Sequence, residues 1–155
     1  FSRTENLEDK VLSQDIIYVG GGNTKSMLAV WRAWSLDKIL KIAYEKGIVM
    51  SGVSAGAICW FDKGVTDSFA DKLEIIECLG LTNGIACPHY DEEKEREPFV
   101  NEIINNKIIN SCICIEGDCA LHIRDDSNYE SINFGTKKKC IKIFRDNDMI
   151  IKEYF

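Results

Sequence analysis

The chain has 155 residues, 45% hydrophobic and 28% charged, with a formal charge of −6, which is length enough to bury a core in one domain. No apolar run approaches the roughly 20 residues that cross a bilayer as a helix, and a pI near 5.0 argues against a nucleic-acid partner, whose phosphates require clustered Lys and Arg. The polar start "FSRTENLEDK" lacks the basic and apolar segments of a secretory signal, and seven cysteines, an odd number, point to free thiols in a reducing, cytoplasmic setting.

In chain order, "DIIYV" (Asp15 to Val19) reads as a buried strand stopped by Gly20-Gly21-Gly22. The spacing of Met27, Leu28, Val30 and Trp31 predicts a helix. Ser35 is placed to cap a second one, with Leu36, Ile39, Leu40 and Ala43 on its apolar face and Gly47 at its end. "IVMSGV" is a second buried strand, and the stretch from Ala55 to Trp60 should begin a helix. Residues 61–80 read as irregular, with a short helical piece around "KLEIIECLG". "GIACPH" is a further strand ending at His89, and "DEEKEREPFVNEIINNK" runs from an acidic loop into a helix. The last third holds short β-rich runs, "SCICIE", "CALHIR", "ESINF", "CIKIF" and "MIIKEYF", separated by turns such as "DDSN" and "RDND". This order predicts an α/β domain over residues 1–155: a parallel sheet flanked by helices, with antiparallel strands at the C-terminal end. Chemistry in such sheets gathers at the carboxyl ends of the strands. The glycine triplet, Ser54, His89 and Glu116 each follow a predicted strand end.

Gly52-Val53-Ser54-Ala55-Gly56 matches G-x-S-x-G, in which a strained strand-to-helix turn exposes a serine hydroxyl. The alternative is a packing turn. A nucleophilic serine needs a base, and the chain has two histidines. His122 falls inside "CALHIR", where alternation makes it a structural strand residue. His89 ends a strand and leads into a polar loop, where it could reach Ser54. A carboxylate must then orient the imidazole; Glu116, Asp118, Asp91 and Glu92 compete, and spacing does not separate them. For the oxyanion, the amide of Ala55 and the amides of "GGGN" are candidate donors. A phosphate cradle is the other use of such a loop, but the triplet matches neither G-x-G-x-x-G nor the P-loop. "CICIEGDC" contains no C-x-x-C pair, so no zinc site is expected and the thiols read as small buried hydrophobes. The basic cluster Lys137 to Lys139 reads as a solvated turn.

Together, "IIYVGGGNT", "GVSAGAICW", "CPHYDEE" and "CIEGDCAL" resemble the peptidase E (aspartyl dipeptidase) family of serine peptidases, over about Gln14 to Ile123. The resemblance implies a flavodoxin-like sheet related to the class I glutamine amidotransferases. It implies Ser54 as nucleophile, His89 as base, Glu116 as the acidic member, and the amides of Gly22 and Ala55 as oxyanion donors. Asn23 and Arg96 match positions that hold a substrate's N-terminal aspartate, and a guanidinium fork suits a carboxylate. An i,i+3 or i,i+4 pair within "EEKERE" is the ordinary alternative for Arg96. The implied substrate is a small peptide, with no metal or organic cofactor. A related hydrolase of aspartate-containing polymers and a non-catalytic scaffold of the same fold are the rival readings. One departure stands out: relatives carry further βα units before the "GGGNT" strand, where this chain has only the residues up to Gln14. The expectation is a domain truncated at its N-terminal side, with a sheet edge covered by a second copy or a partner chain.

Overall fold

The computed structural model describes residues 6–70, 72–125 and 128–155. The first half of the polar N-terminal run and the middle of the expected "DDSN" turn lie outside these residues. Helix α1 (Leu7–Leu12) is capped by the Asn6 side chain, which accepts from the Glu8 amide at 3.2 Å. Strand β1 (Ile16–Val19) runs into the glycine triplet, and α2 (Thr24–Ala33) and α3 (Leu36–Glu45) follow. Asn23 caps α2, accepting from the Ser26 amide at 2.9 Å. Ser35 precedes α3, but in a left-handed conformation and without a side-chain cap bond. Gly47, at φ +83, closes α3: its amide bonds to Tyr44 O and that of Ile48 to Ala43 O, which satisfies two of the orphaned carbonyls.

Strand β2 (Val49–Gly52) pairs in parallel with β1, Ile16 opposite Val49 and Val19 opposite Gly52. Alternation then sorts the two faces. Ile17, Val19 and Met50 pack against a cluster containing Leu28 and Leu40, so the helices cover that side. Ile16, Tyr18 and Val49 on the other side are more than half exposed.

After β2 comes α4 (Ala55–Ile58), a single turn, and then β3 (Phe61–Phe69) and β4 (Lys72–Glu77), which form an antiparallel pair. This corrects the irregular, partly helical reading of residues 61–80. Val65 is fully buried and Ile75 and Ile76 pack inward, because pairing with a neighbouring strand overrides the weak helical periodicity of "KLEIIECLG". Strand β5 (Thr82–Cys87), helix α5 (Arg96–Asn105) and β6 (Ser111–Ile115) continue the chain. The hairpin β7 (Cys119–Asp125) and β8 (Asn128–Asn133) follows, and β9 (Cys140–Asp146) and β10 (Met149–Tyr154) end it.

The six-stranded sheet has the order β10-β9-β6-β5-β3-β4. β3, β5 and β6 run parallel, and β4, β9 and β10 add antiparallel strands. The fold is therefore mixed α/β, with parallel strands in the middle of the six-stranded sheet, antiparallel strands at both its edges, and β1–β2 as a separate parallel pair. Val100, Ile103 and Ile104 of α5 meet Cys87, Cys112, Cys114, Ile141 and Ile143 in one core cluster. Five of the seven cysteines are buried and all seven are free thiols, serving as small hydrophobes. No helix among the described residues is long and apolar enough to cross a membrane.

Candidate active site

The geometry around Ser54 starts from two glycines. A Cβ on Gly56 would sit 2.0 Å from Val19 O, and one on Gly52 would sit 2.3 Å from Gly56 O. The absence of both side chains lets α4 press against the end of β1 directly after β2. In the tight turn between them, Ser54 adopts φ 56°, ψ −118°, a strained conformation for a residue with a side chain. Its side chain is half-buried at the amino end of α4. The amide of Ala55, first residue of that helix, has no preceding helical turn to bond to. The glycine loop faces the serine: a Cβ on Gly21 would lie 3.3 Å from Ser54 Cβ. Gly22, at φ +149, takes a conformation that side chains avoid.

The floor beside this loop is a hydroxyl ladder. The Thr24 amide donates to Ser68 Oγ at 2.8 Å, Ser68 Oγ and Thr66 Oγ1 are 2.8 Å apart, and Thr66 Oγ1 donates to Thr24 Oγ1 at 3.3 Å. Asn23 joins it through Nδ2, which donates to Ser68 O at 3.5 Å. The end of β3 thereby holds the loop and Asn23 in place.

His89 lies two residues past β5, and α4 packs against β1, β2, β3 and β5. Both Ser54 and His89 thus follow the carboxyl end of a strand that α4 touches. His89 has φ 52°, and its carbonyl accepts from the amides of Glu92 and Glu93, both at 3.1 Å. This turn brings Glu92 back over the ring, with Glu92 Oε2 2.7 Å from His89 Nδ1. An ionised carboxylate has no hydrogen to give, so Nδ1 carries the proton and Nε2 is left as the acceptor. Among the described residues Ser54 Oγ makes no hydrogen bond to His89.

The 89–92 turn is docked on the turn after β6. The Tyr90 amide donates to Ile115 O at 3.1 Å and the Gly117 amide to Asp91 Oδ1 at 2.8 Å. Asp91 also pairs with Lys138. Burial pulls the Asp91 carboxyl upward, but the Lys138 ammonium and the Gly117 amide outweigh it and hold it below the usual carboxylate range.

Two of the expected roles meet a different arrangement. Glu116 Oε2 accepts from the Lys139 amide at 2.9 Å, so the carboxylate on His89 Nδ1 is that of Glu92, not Glu116. Arg96 is 2% exposed; Nε donates to Glu93 Oε2 at 2.6 Å and Nη1 to Val65 O at 3.1 Å. Its guanidinium makes the ordinary i,i+3 pair with Glu93 and ties the start of α5 to β3 through Val65 O. The basic cluster Lys137 to Lys139 lies in an irregular turn with Lys137 and Lys139 exposed, as expected of a solvated turn; there the Lys138 ammonium pairs with Asp91 and the Lys139 amide donates to Glu116. Asp118 is exposed. His122 lies on the β7–β8 hairpin, 3.6 Å from Glu130, on a strand of its own. Burial pushes the Cys78 and Cys140 thiols up to about 12 and Cys59 higher still, so these three offer no rival nucleophile.

The sequence model for peptidase family S51 matches residues 2–130. The chain belongs to peptidase family S51. A relative, the uncharacterized peptidase YgaJ of Bacillus subtilis (strain 168), is 41% identical over 140 residues, covering 90% of this chain and 60% of that protein. The chain therefore spans about three-fifths of that relative's length. A crystal structure described as that of a peptidase E protein from Listeria monocytogenes EGD-e superimposes with a TM-score of 0.62 at 22% identity. It covers 85% of this chain and 67% of its own, and supports the fold. The peptidase E resemblance read from the motifs thus agrees with the S51 assignment.

Proposed function

We propose that this S51 chain carries a serine-peptidase site that hydrolyses short peptides, with dipeptides bearing an N-terminal aspartate as the first substrates. The observation that carries the reading is the strained Ser54 turn, held by Gly52 and Gly56 and faced by the glycine loop. Ser54 Oγ attacks the scissile carbonyl carbon and passes its proton to His89 Nε2. The oxyanion that forms accepts from the amides of Ala55 and Gly22. His89 then protonates the departing amine, and water repeats the sequence to release the acyl group from Ser54. Asn23, fixed by its cap bond and by Ser68 O, borders the substrate's amino-terminal side. Arg96 has no part in this scheme because it is buried and bonded to Glu93 and Val65 O. The aspartate preference comes from the likeness to peptidase E proteins.

The test is a panel of Asp-X, Glu-X and Leu-X dipeptides with the native protein and Ser54→Ala. The substitution is expected to lower kcat/KM by about 10⁴-fold or more, and a fluorophosphonate should label the native serine alone. Hydrolysis unchanged by Ser54→Ala would overturn the assignment. A folded protein that neither hydrolyses the panel nor takes the label would favour a non-catalytic binding domain, the reading to which the exposed Ile16, Tyr18 and Val49 face lends weight.

A further inference from the structure

We infer that Cys119 and Cys140 are an oxidisable thiol pair, set to close into a disulfide beside the segments that hold the 89–92 turn. The inference stands apart from the peptidase reading, because it rests on the thiols alone. Their sulfurs lie 3.6 Å apart although the residues are 21 positions apart in the chain. Both backbones are already fixed. Cys140 opposes Ile115 on β6; its amide donates to Ser131 Oγ at 2.9 Å and its carbonyl accepts from the Phe155 amide at 3.1 Å. Cys119 opposes Asn133 on β8, next to the bond from the Phe134 amide to Asp118 O at 3.0 Å. Turning about the two Cα–Cβ bonds brings the sulfurs to the roughly 2.05 Å of a disulfide with no strand displaced. Access sets this pair apart. Cys87, Cys112 and Cys114 also cluster, but each is fully buried in the core. Cys78, half-buried like Cys119, turns its S–H to Ile76 O instead.

A peroxide as oxidant balances the reaction. The Cys119 thiolate attacks one peroxide oxygen, the O–O bond breaks, and Cys119 becomes a sulfenic acid as one water leaves. Cys140 Sγ then attacks Cys119 Sγ. The S–S bond forms, the S–O bond breaks, and hydroxide departs with the Cys140 proton as a second water. The two thiols are oxidised and the peroxide is reduced. Cys140 is fully buried and pushed up to about 12, so Cys119 meets the oxidant first and contact compensates for the reluctance of Cys140. Burial raises Cys119 as well, which makes the first step slow beside that of an activated cysteine. Bridging takes from Glu116 O the Cys119 S–H that donates to it at 3.1 Å. It also pins the starts of β7 and β9 together. These follow directly on the segments whose Gly117 amide and Lys138 ammonium hold Asp91.

Hydrogen peroxide in excess, applied to the folded native chain, is expected to lower its intact mass by that of two hydrogens, and dithiothreitol to restore it. Cleavage after glutamate then locates the bridge, because Glu116, Glu130 and Glu153 leave Cys119 and Cys140 in separate peptides with no other cysteine. Residues 117–130 joined to residues 131–153 are the expected product. Cys119→Ser and Cys140→Ala should each abolish it, and Cys140→Ala should leave a sulfenic acid on Cys119 that dimedone captures. Cys78→Ser should bridge as the native chain does. By closing a loop of this length the bridge should raise Tm by about 5 °C or more. Both thiols still free at excess peroxide, a bridge to another cysteine, or one that forms only in urea would overturn the inference. So would a bridged chain that melts below the reduced one. The native chain alone decides these outcomes, should a variant fail to fold. None of them uses the dipeptide panel, so failure of the peptidase reading and failure of the thiol pair are read separately.

Discussion

Gly56→Ala is the most direct probe of how the serine turn is built. The added methyl carbon would lie 2.0 Å from Val19 O, 2.5 Å from Val19 C and 2.8 Å from Val19 Cβ. It would stand roughly an ångström or more inside van der Waals contact, and two of the three atoms are backbone. No rotamer change relieves such a clash, so β1 and α4 must separate. Overpacking of this kind costs about 3 kcal/mol when the wall cannot yield. For a domain of this size that corresponds to a melting temperature lower by about 6–12 °C. The assay is thermal unfolding followed by far-ultraviolet circular dichroism, with Gly20→Ala as control. A Cβ on Gly20 meets nothing within 4 Å, so the control should melt with the native protein to within about 2 °C. Because Val19 leads directly into the glycine loop, fluorophosphonate labelling of the Gly56 variant should also slow at temperatures where it is still folded. A Gly56→Ala protein that melts with the native one would refute the close-approach reasoning.

Further outcomes follow from the docked turn and the buried cation. Asp91 is held below its ordinary value in the folded chain, so its contribution is complete above the unfolded value of about 3.9 and is lost as pH falls through the lowered one. Replacing Lys138 with Met should therefore reduce the urea midpoint near neutral pH and leave it converging with the native midpoint in acid; a difference constant across pH would contradict the pairing. Arg96→Met leaves Val65 O without its buried donor and Glu93 without its partner, which should destabilise the fold by about 1–3 kcal/mol. In that variant KM for Asp-X peptides should stay within about threefold of native; a large rise in KM with stability unchanged would return Arg96 to the substrate.

The local code of the chain carried much of this. "DIIYV" and "IVMSG" are uninterrupted apolar runs bounded by glycine, and the residues of α2 and α3 repeat at helical spacing, so strand–helix alternation could be read directly. Glycines on either side of Ser54 signalled a close-packed turn for the same reason: the pattern lies within five consecutive residues. The 61–80 stretch was misread because isolated, its pattern suits a helix as well as a strand, and only pairing between β3 and β4 decides. Spacing alone left the acid beside His89 open for a related reason, and the motif resemblance pointed to Glu116. Four carboxylates lie near enough in the chain to serve, and none carries a signal of its own. The choice was made by a left-handed His89 backbone, a glycine across the gap, and the amide of that glycine holding Asp91. Likewise Arg96 belongs to the interior because β3 offers it a carbonyl thirty-one residues away. Spacing along a chain determines helices and glycine-bounded strands, since those depend on neighbours a few residues off, whereas β3 and β4 needed their pairing. Which charged group meets which is decided by how those elements dock, because partners distant in the chain become neighbours only after folding.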